Sequence, residues 1–315
     1  MTLPAQLDRL EAATELPAKP VHLAIGMFDG LHLGHRAVVE AAVKAAHGQG
    51  GLAAVLTFWP HPSALFRPGN PTRLIQATPT KVKQLFELGV DVVITQPFTP
   101  EFASIAAEEF VPWLKQHLLF LVSLYVGENW RFGRGRTGDV TFLLEEGKRH
   151  GLDVFSTPRV NLAGEPISST RIRELIETGD IAVANALLGY TYFAEGRIVP
   201  GKRLGRTLGF PTLNLPWKPE LRPRYGVYSV QVSGGNSPAV LPGVANYGLR
   251  PTVEETAEPQ LETHVLGTCP FWEGDFIKVE WLRFIRPEMK FGNVQELRAQ
   301  IALDRAAAAA DFSLR

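Results

Sequence analysis

The sequence predicts two folds in series: an α/β domain built on a parallel sheet, then a small antiparallel β-barrel closed by a helix. Three observations carry this. Between about Val21 and Val160, short continuous apolar runs alternate with amphipathic segments, the pattern of parallel strands covered on both faces by crossover helices. After about Leu188 the strand-like runs are separated by Gly- and Pro-rich turns instead, as in IVPGKRLGRTLGFPTLNLPWKP. A length of 315 residues with 45% hydrophobic content is enough for two ordinary cores.

In chain order, strands are expected at Val21–Ile25, Ala53–Phe58, Val90–Thr95, Leu119–Val126 and Leu152–Thr157. Helices are expected near His35–Ala46, Thr78–Leu88, Ala106–Gln116 and Val140–His150. The boundary falls within Ile181–Tyr190 and is placed after residue 182, giving domains 1–182 and 183–315. Turn-separated strands follow at Tyr192–Val199, Gly226–Val232, Val240–Ala245, Leu261–Leu266 and Ile277–Phe284, and a helix from Val294 to Ala302 or beyond.

Lys plus Arg equals Asp plus Glu at 32 each, so no global field draws the chain to nucleic acid or an anionic membrane. A single cysteine, Cys269, excludes an intrachain disulfide and a cysteine-built zinc site. The N-terminal stretch lacks an apolar core behind a basic start, so a signal peptide is not expected. The most apolar run, Leu118–Val126, is about half of what a membrane helix needs. A cytoplasmic protein is the expectation, a monomer or weak homo-oligomer whose partners are small molecules.

The first constellation is VHLAIGMFDGLHLGH, Val21 to His35. Gly26, Gly30 and Gly34, with Phe28 and Asp29 between them, sit where a strand hands over to a helix. Glycines let backbone N–H groups approach a ligand closely, and the helix start adds its positive end. His32 and His35 add donors without a fixed charge. This geometry suits phosphate whose negative charge grows in a transition state. A second stretch, ISSTRIRELIETGD, carries Ser168, Ser169, Thr170, Arg171 and Arg173. On its own it reads equally as a capped helix with solvated arginines or as a second phosphate clamp.

Together these stretches follow the nucleotidyltransferase plan with HxGH at the first strand–helix turn. More narrowly, from about Pro20 to Leu303 the chain closely resembles the bacterial bifunctional riboflavin kinase/FAD synthetase family. GMFDGLHLGH is similar to its GxFDGxHxGH, LTFWPHP to its TFxPHP, VGENWRFGRGRTGD to its GxDFxFGxxRxG, and Ser168–Arg173 to its SSTxIR. The resemblance implies an FMN adenylyltransferase domain in which FMN phosphate attacks the α-phosphorus of ATP. His32 and His35 would contact the ATP phosphates, Ser168, Thr170 and Arg171 or Arg173 the departing pyrophosphate, and Ser169 would belong to the same phosphate-binding stretch. Phe58, Trp59, His61, Asn129, Trp130, Arg131 and Phe132 would line the flavin site, with Asn129 standing where the family often has Asp.

In the second half, GRIVPGKRLGRTLGFPTLNLP resembles the riboflavin kinase signature GxVxxGxxxGRxLGFPTxNL. Gly201, Gly205 and Gly209 would turn amides toward phosphate, with Lys202 and Arg206 adding charge. Thr212 and Asn214 alternate and so share a face; by resemblance they coordinate Mg²⁺ with ATP. PGVANYGLRPT, which contains Asn246, and IRPEMKF, which contains Arg286, would complete the flavin pocket. In LETHVL, Glu262 and His264 share a face, and the resemblance makes Glu262 the general base for the riboflavin 5′-hydroxyl. The family's usual turn after this motif is replaced by GTCPFWEGDFIKVE, where Phe271 and Trp272 are expected to pack in its place. The implied fold is an α/β nucleotidyltransferase domain with a Rossmann-like parallel sheet, then an antiparallel β-barrel kinase domain with a terminal helix. ATP is the co-substrate, Mg²⁺ the cofactor, and riboflavin, FMN and FAD the substrates and products. A nucleotidyltransferase for another substrate has no use for the kinase-like half, and a non-catalytic flavin binder has no use for the base.

Overall fold

The computed structural model describes residues 2–201, 209–235, 237–249 and 259–313. The chain divides into two compact units, Met1–Ser169 and Thr170–Arg315.

The first unit holds strands β1 (Ala5–Leu7), β2 (Val21–Ile25), β3 (Leu52–Trp59), β4 (Val92–Pro97), β5 (Leu121–Gly127) and β6 (Asp153–Thr157). They form one parallel sheet in the order β1-β4-β3-β2-β5-β6. Its helices are α1 (Leu33–Gly48), α2 (Pro62–Phe66), α3 (Thr78–Glu87), α4 (Pro100–Ala103), α5 (Ala107–His117) and α6 (Val140–Arg149). All of β2 and residues 52–58 of β3 are buried, as the continuous apolar runs require. The period-2 alternation sends them to two cores. Leu23, Ile25, Ala54 and Leu56 face one core with Phe110 and Leu114 of α5 and Leu143 of α6. Ala24, Val55 and Val93 face the other with Val38 and Val39 of α1 and Val82 and Leu85 of α3. The edge strand β1 was not anticipated. Its three residues carry no pattern of their own and are strand only because β4 pairs with them. β6, at the other edge, is mostly exposed. A two-stranded hairpin, β7 (Asn161–Leu162) and β8 (Glu165–Pro166), follows it.

The stretch then forms α7 (Ser169–Thr178) and α8 (Ile181–Leu188). In the second unit come β9 (Phe193–Arg197), β10 (Leu213–Leu215), β11 (Gly226–Gly234), β12 (Ser237–Leu249), β13 (Pro259–Val265), β14 (Phe276–Arg286) and α9 (Val294–Ser313). The antiparallel order is β10-β13-β12-β11-β14-β9. A bridge between Val199 and Asn214, with the Val199 N–H 3.0 Å from the Asn214 carbonyl, joins the two outer strands and closes the barrel. Trp281, Tyr228 and Tyr247 fill its interior. Phe271 is buried, beside the turn at Gly235, but Trp272 is 72% exposed, so only one of the two aromatics expected to pack does so. The helix α9 fully buries only Asp304 and Ala308; it is fastened by ion pairs, Asp304 with Arg286 and Asp311 with Arg283.

Candidate active sites

In the parallel sheet, β2 lies between β3 and β5. The chain runs outward from β2 through β3 to β4 and then returns to β5, so the carboxyl ends of β2 and β5 flank the topological switch point, where open α/β sheets bind ligands. A cavity of about 230 Å³ lies there. Gly26, Phe28, His32, Gly34 and His35 line it after β2, Asn129 and Trp130 after β5, and Pro158 and Arg159 after β6.

The turn into α1 is held in a demanding conformation. Phe28 and Leu31 have φ of 49° and 38°, in the left-handed region that costs most side chains on the order of 1 kcal/mol or more. Gly30, with φ 80°, has the Ile75 side chain 2.8 Å from where a Cβ would stand, so only glycine fits. Several bonds impose this shape. The Asp29 carboxylate accepts from the Ile75 N–H at 3.0 Å, and the Asp29 carbonyl accepts from the Ser169 hydroxyl at 2.9 Å. The Met27 carbonyl accepts from the Thr57 hydroxyl and from the Lys81 ammonium, each at 3.0 Å. Asp29 therefore shapes the loop through its carboxylate.

His32 caps α1. Its Nδ1 accepts from the His35 N–H at 3.3 Å, so in the neutral ring the hydrogen is on Nε2. The two imidazoles stack with centroids 3.6 Å apart and planes 18° from parallel, and Phe28 stands edge-on to His35. Two rings and the first N–H groups of α1 thus converge on one spot.

Lys81 is the residue that sequence reasoning missed. In TPTKVKQLFE it reads as the polar face of an amphipathic helix, yet it is 4% exposed and its Nζ also donates to the Thr57 hydroxyl at 2.9 Å. Burial pushes its pKa from 10.5 down to about 8, opposed by the Asp29 charge. The unfolded chain keeps this proton up to pH 10.5, so between about pH 8 and 10.5 the unfolded state binds more protons and native stability rises with pH. The stability difference between wild type and Lys81→Met is expected to move by on the order of 3 kcal/mol toward wild type across that window. Urea unfolding at several pH values measures it, and a pH-independent difference would contradict the burial account.

Other sequence-predicted residues lie elsewhere. Phe58 and Phe132 are 8% and 5% exposed and belong to the core. Phe58 packs on Phe98 and Phe102, and Phe132 stacks on Trp130 and packs on Phe110; neither lines the cavity. His61 caps α2 through Nδ1, which accepts from the Ser63 N–H at 3.1 Å. Trp59 is 56% exposed. Ser168 precedes α7, and Ser169 belongs to the first unit, while Thr170, Arg171 and Arg173 lie beyond the division.

In the barrel, closure aligns the polar residues. Asn214 stands opposite Glu262, Glu262 opposite Asn246, Asn246 opposite Val227, and Val227 opposite Arg286. Directly opposed residues point to the same face of a sheet, so one row crosses five strands. A cavity of about 280 Å³ is lined by Thr212, Asn246, Glu262, His264 and Arg286 from the barrel and by Leu297, Ile301 and Asp304 from α9. Arg286 binds Asp304 in two-pronged fashion at 3.0 and 2.8 Å, with the two side chains 14% and 3% exposed. Its guanidinium is thus a strut between barrel and helix.

Thr212 and Asn214 offer neutral oxygen donors, which suit Mg²⁺. A Cβ on Gly201 would overlap the Asn214 amide, so glycine there leaves that amide its place. Among the described residues no three His, Cys, Asp or Glu side chains gather into a metal cluster; the remaining ligands of such an ion would be phosphate oxygens and water. Gly201→Ala is expected to lower activity in this pocket by about tenfold through displacement of the Asn214 amide, read as a rise in the Mg²⁺ concentration needed for half-maximal rate. Gly209 sits in a turn at φ 86°. Lys202, Gly205 and Arg206 lie outside the described residues.

Comparison with known proteins places both halves. Residues 15–171 match the FAD synthetase family model and residues 188–312 the riboflavin kinase family model. The bifunctional riboflavin kinase/FMN adenylyltransferase of Escherichia coli K12 is 38% identical over 302 residues, 96% of each chain. The protein of the same name from Bacillus subtilis is 34% identical, covering 95% of this chain and 94% of its own. A crystal structure described as a macrolide-efflux protein from Streptococcus pneumoniae aligns with TM-score 0.86 at 27% identity, covering 97% and 98% of the two chains. Among the described residues here, no helix is long and apolar enough to cross a membrane.

Proposed function

The chain belongs to the bifunctional riboflavin kinase/FMN adenylyltransferase family, and from that premise we propose how its two cavities divide the work. It is a transferase that phosphorylates riboflavin to FMN with ATP in the second half and joins FMN to AMP, releasing pyrophosphate, in the first. The observation that carries the assignment is that each unit gathers one matching constellation around a cavity: the stacked His32–His35 pair at the switch point, and Thr212, Glu262 and Asn246 in the barrel, with Asn214 opposite Glu262 on the neighbouring strand.

In the kinase cavity, the Glu262 carboxylate accepts the proton of the riboflavin 5′-hydroxyl as that oxygen attacks the γ-phosphorus, and ADP departs. Thr212 and Asn214 hold Mg²⁺ with the triphosphate, and the ion when bound neutralises charge on the phosphate oxygens. Gly201, Lys202, Gly205, Arg206 and Gly209 are assigned to the phosphates, and Asn246 with Arg286 to the flavin side. In the adenylyltransferase cavity, an FMN phosphate oxygen attacks the α-phosphorus. No covalent enzyme intermediate is needed, so catalysis is alignment and charge stabilisation. The Nε2–H of His32, the His35 ring and the start of α1 face the reacting phosphates, and Ser168 to Arg173 take the pyrophosphate. Asn129 and Trp130, which line that cavity, are assigned to the flavin side together with His61, and Phe132 supports Trp130 from the core by stacking on it. We assign domains 1–182 and 183–315, a cytoplasmic location, small-molecule partners only, and a monomer or weak homo-oligomer.

Incubating the purified protein with riboflavin, ATP and Mg²⁺ and separating the flavins by chromatography tests this. FMN and then FAD are expected. FMN alone would overturn the assignment of the first cavity, and neither product would overturn both.

A further inference from the structure

We infer that His264 is a positioning residue of the kinase site, holding the Pro211–Thr212 peptide so that Thr212 lines the cavity with Glu262 while Asn214 keeps its place opposite Glu262 on the neighbouring strand. The inference rests on the kinase reading above and adds a residue to it.

The need for such a residue follows from the register. β10 is three residues long and pairs with β13 through Leu213–Thr263, Asn214–Glu262 and Leu215–Leu261. One step further, Thr212 would face His264, but the ladder stops there. Pro211, the residue before Thr212, has no N–H to continue it. The segment leading into Thr212 therefore runs outside the paired strand, just where the metal-side residues begin.

The His264 side chain fills that gap. Its Nδ1 lies 2.8 Å from the Pro211 carbonyl. A carbonyl only accepts, so Nδ1 carries the hydrogen and donates it. The ring is seated on its other sides as well. Phe210 stands edge-on to it, with centroids 5.8 Å apart and planes at 89°, and the Arg305 guanidinium of α9 lies 5.4 Å from the centre of the Phe210 ring. Burial lowers the His264 pKa, with the Arg305 charge acting in the same direction against the Pro211 bond. The neutral ring keeps an acceptor at Nε2, which is buried without a hydrogen-bond partner among the described residues. His264, Phe210, Thr212 and Glu262 all line the same cavity. The imidazole thus joins the FPTLN segment to the ETH strand by one directed bond, and Glu262 lies two residues along that same strand.

The test uses the full chain. Riboflavin kinase rates are measured for wild type, His264→Ala, His264→Asn and His264→Gln with ATP and riboflavin varied separately. FMN-to-FAD conversion is followed in parallel as a check on the protein. Asparagine places an amide N–H near the position of Nδ1–H, whereas glutamine carries it one carbon too far. Loss of one directed bond at the metal side is expected to lower kcat/KM for ATP by about tenfold or more in the Ala and Gln variants. Asn is expected to recover to within about threefold of wild type, and KM for riboflavin to stay unchanged in all. Nitrogen-15 shifts of the His264 ring should report hydrogen on Nδ1 at neutral pH. Equal impairment of Asn and Gln, full activity in Ala and Gln, a loss confined to KM for riboflavin, or hydrogen on Nε2 would each overturn the inference. Absence of FMN formation by the wild-type chain would instead overturn the kinase reading itself, before any variant is compared.

Discussion

Glu262→Gln is expected to cut riboflavin phosphorylation by about 10²–10⁴-fold while leaving conversion of supplied FMN to FAD within about twofold of wild type. Glutamine matches glutamate in size and keeps an acceptor oxygen, so the row with Asn214 and Asn246 can persist. It cannot take a proton. The loss should therefore appear in kcat, with KM for riboflavin and ATP nearly unchanged, because the missing interaction forms only as the hydroxyl gives up its hydrogen. Steady-state assays of each half-reaction separate these parameters. Unimpaired kcat in this variant would remove Glu262 from the role of base.

The adenylyltransferase half has a matching experiment with a built-in structural control. His32 both caps α1 and faces the cavity. His32→Ala removes both functions, and loss of an N-cap acceptor alone costs about 1 kcal/mol. His32→Asn keeps an acceptor for the helix start but withdraws the ring and its Nε2–H. FAD formation is expected to fall by about 10²–10³-fold in both variants, with FMN formation retained. The melting temperature should drop more in Ala than in Asn. If FAD synthesis recovered in Asn along with stability, His32 would be a cap and nothing more.

The reach of local patterning explains which features were visible from sequence. Continuous apolar runs marked β2, β3, β4 and β5, because a strand buried on both faces has no polar side to interrupt it. The Gly26–His35 junction was visible for the same reason: strand, turn and helix lie within fifteen residues. The shared face of Glu262 and His264 followed from alternation and is seen in the burial of β13. Features created by distant chain segments left no such mark. β1 and β10 are three residues each and exist through their partners. Lys81 is buried because Met27 and Thr57 meet above it. The Arg286–Asp304 pair joins a strand to a helix eighteen residues on. Phe58 and Phe132 are aromatic residues near the ends of strands, and nothing local distinguishes a ring that will face a ligand from one enclosed by Phe98, Phe102 and Phe110.

The strut from Arg286 to Asp304 also ties completion of the barrel cavity to α9. All lining of the switch-point cavity comes from residues up to Ile167, so that cavity can take shape while much of the polypeptide is still being translated. The barrel cavity acquires its far wall only from Leu297, Ile301 and Asp304, after every strand has emerged. Cleavage ahead of α9 would accordingly take away one wall of the barrel cavity and leave the lining of the switch-point cavity whole.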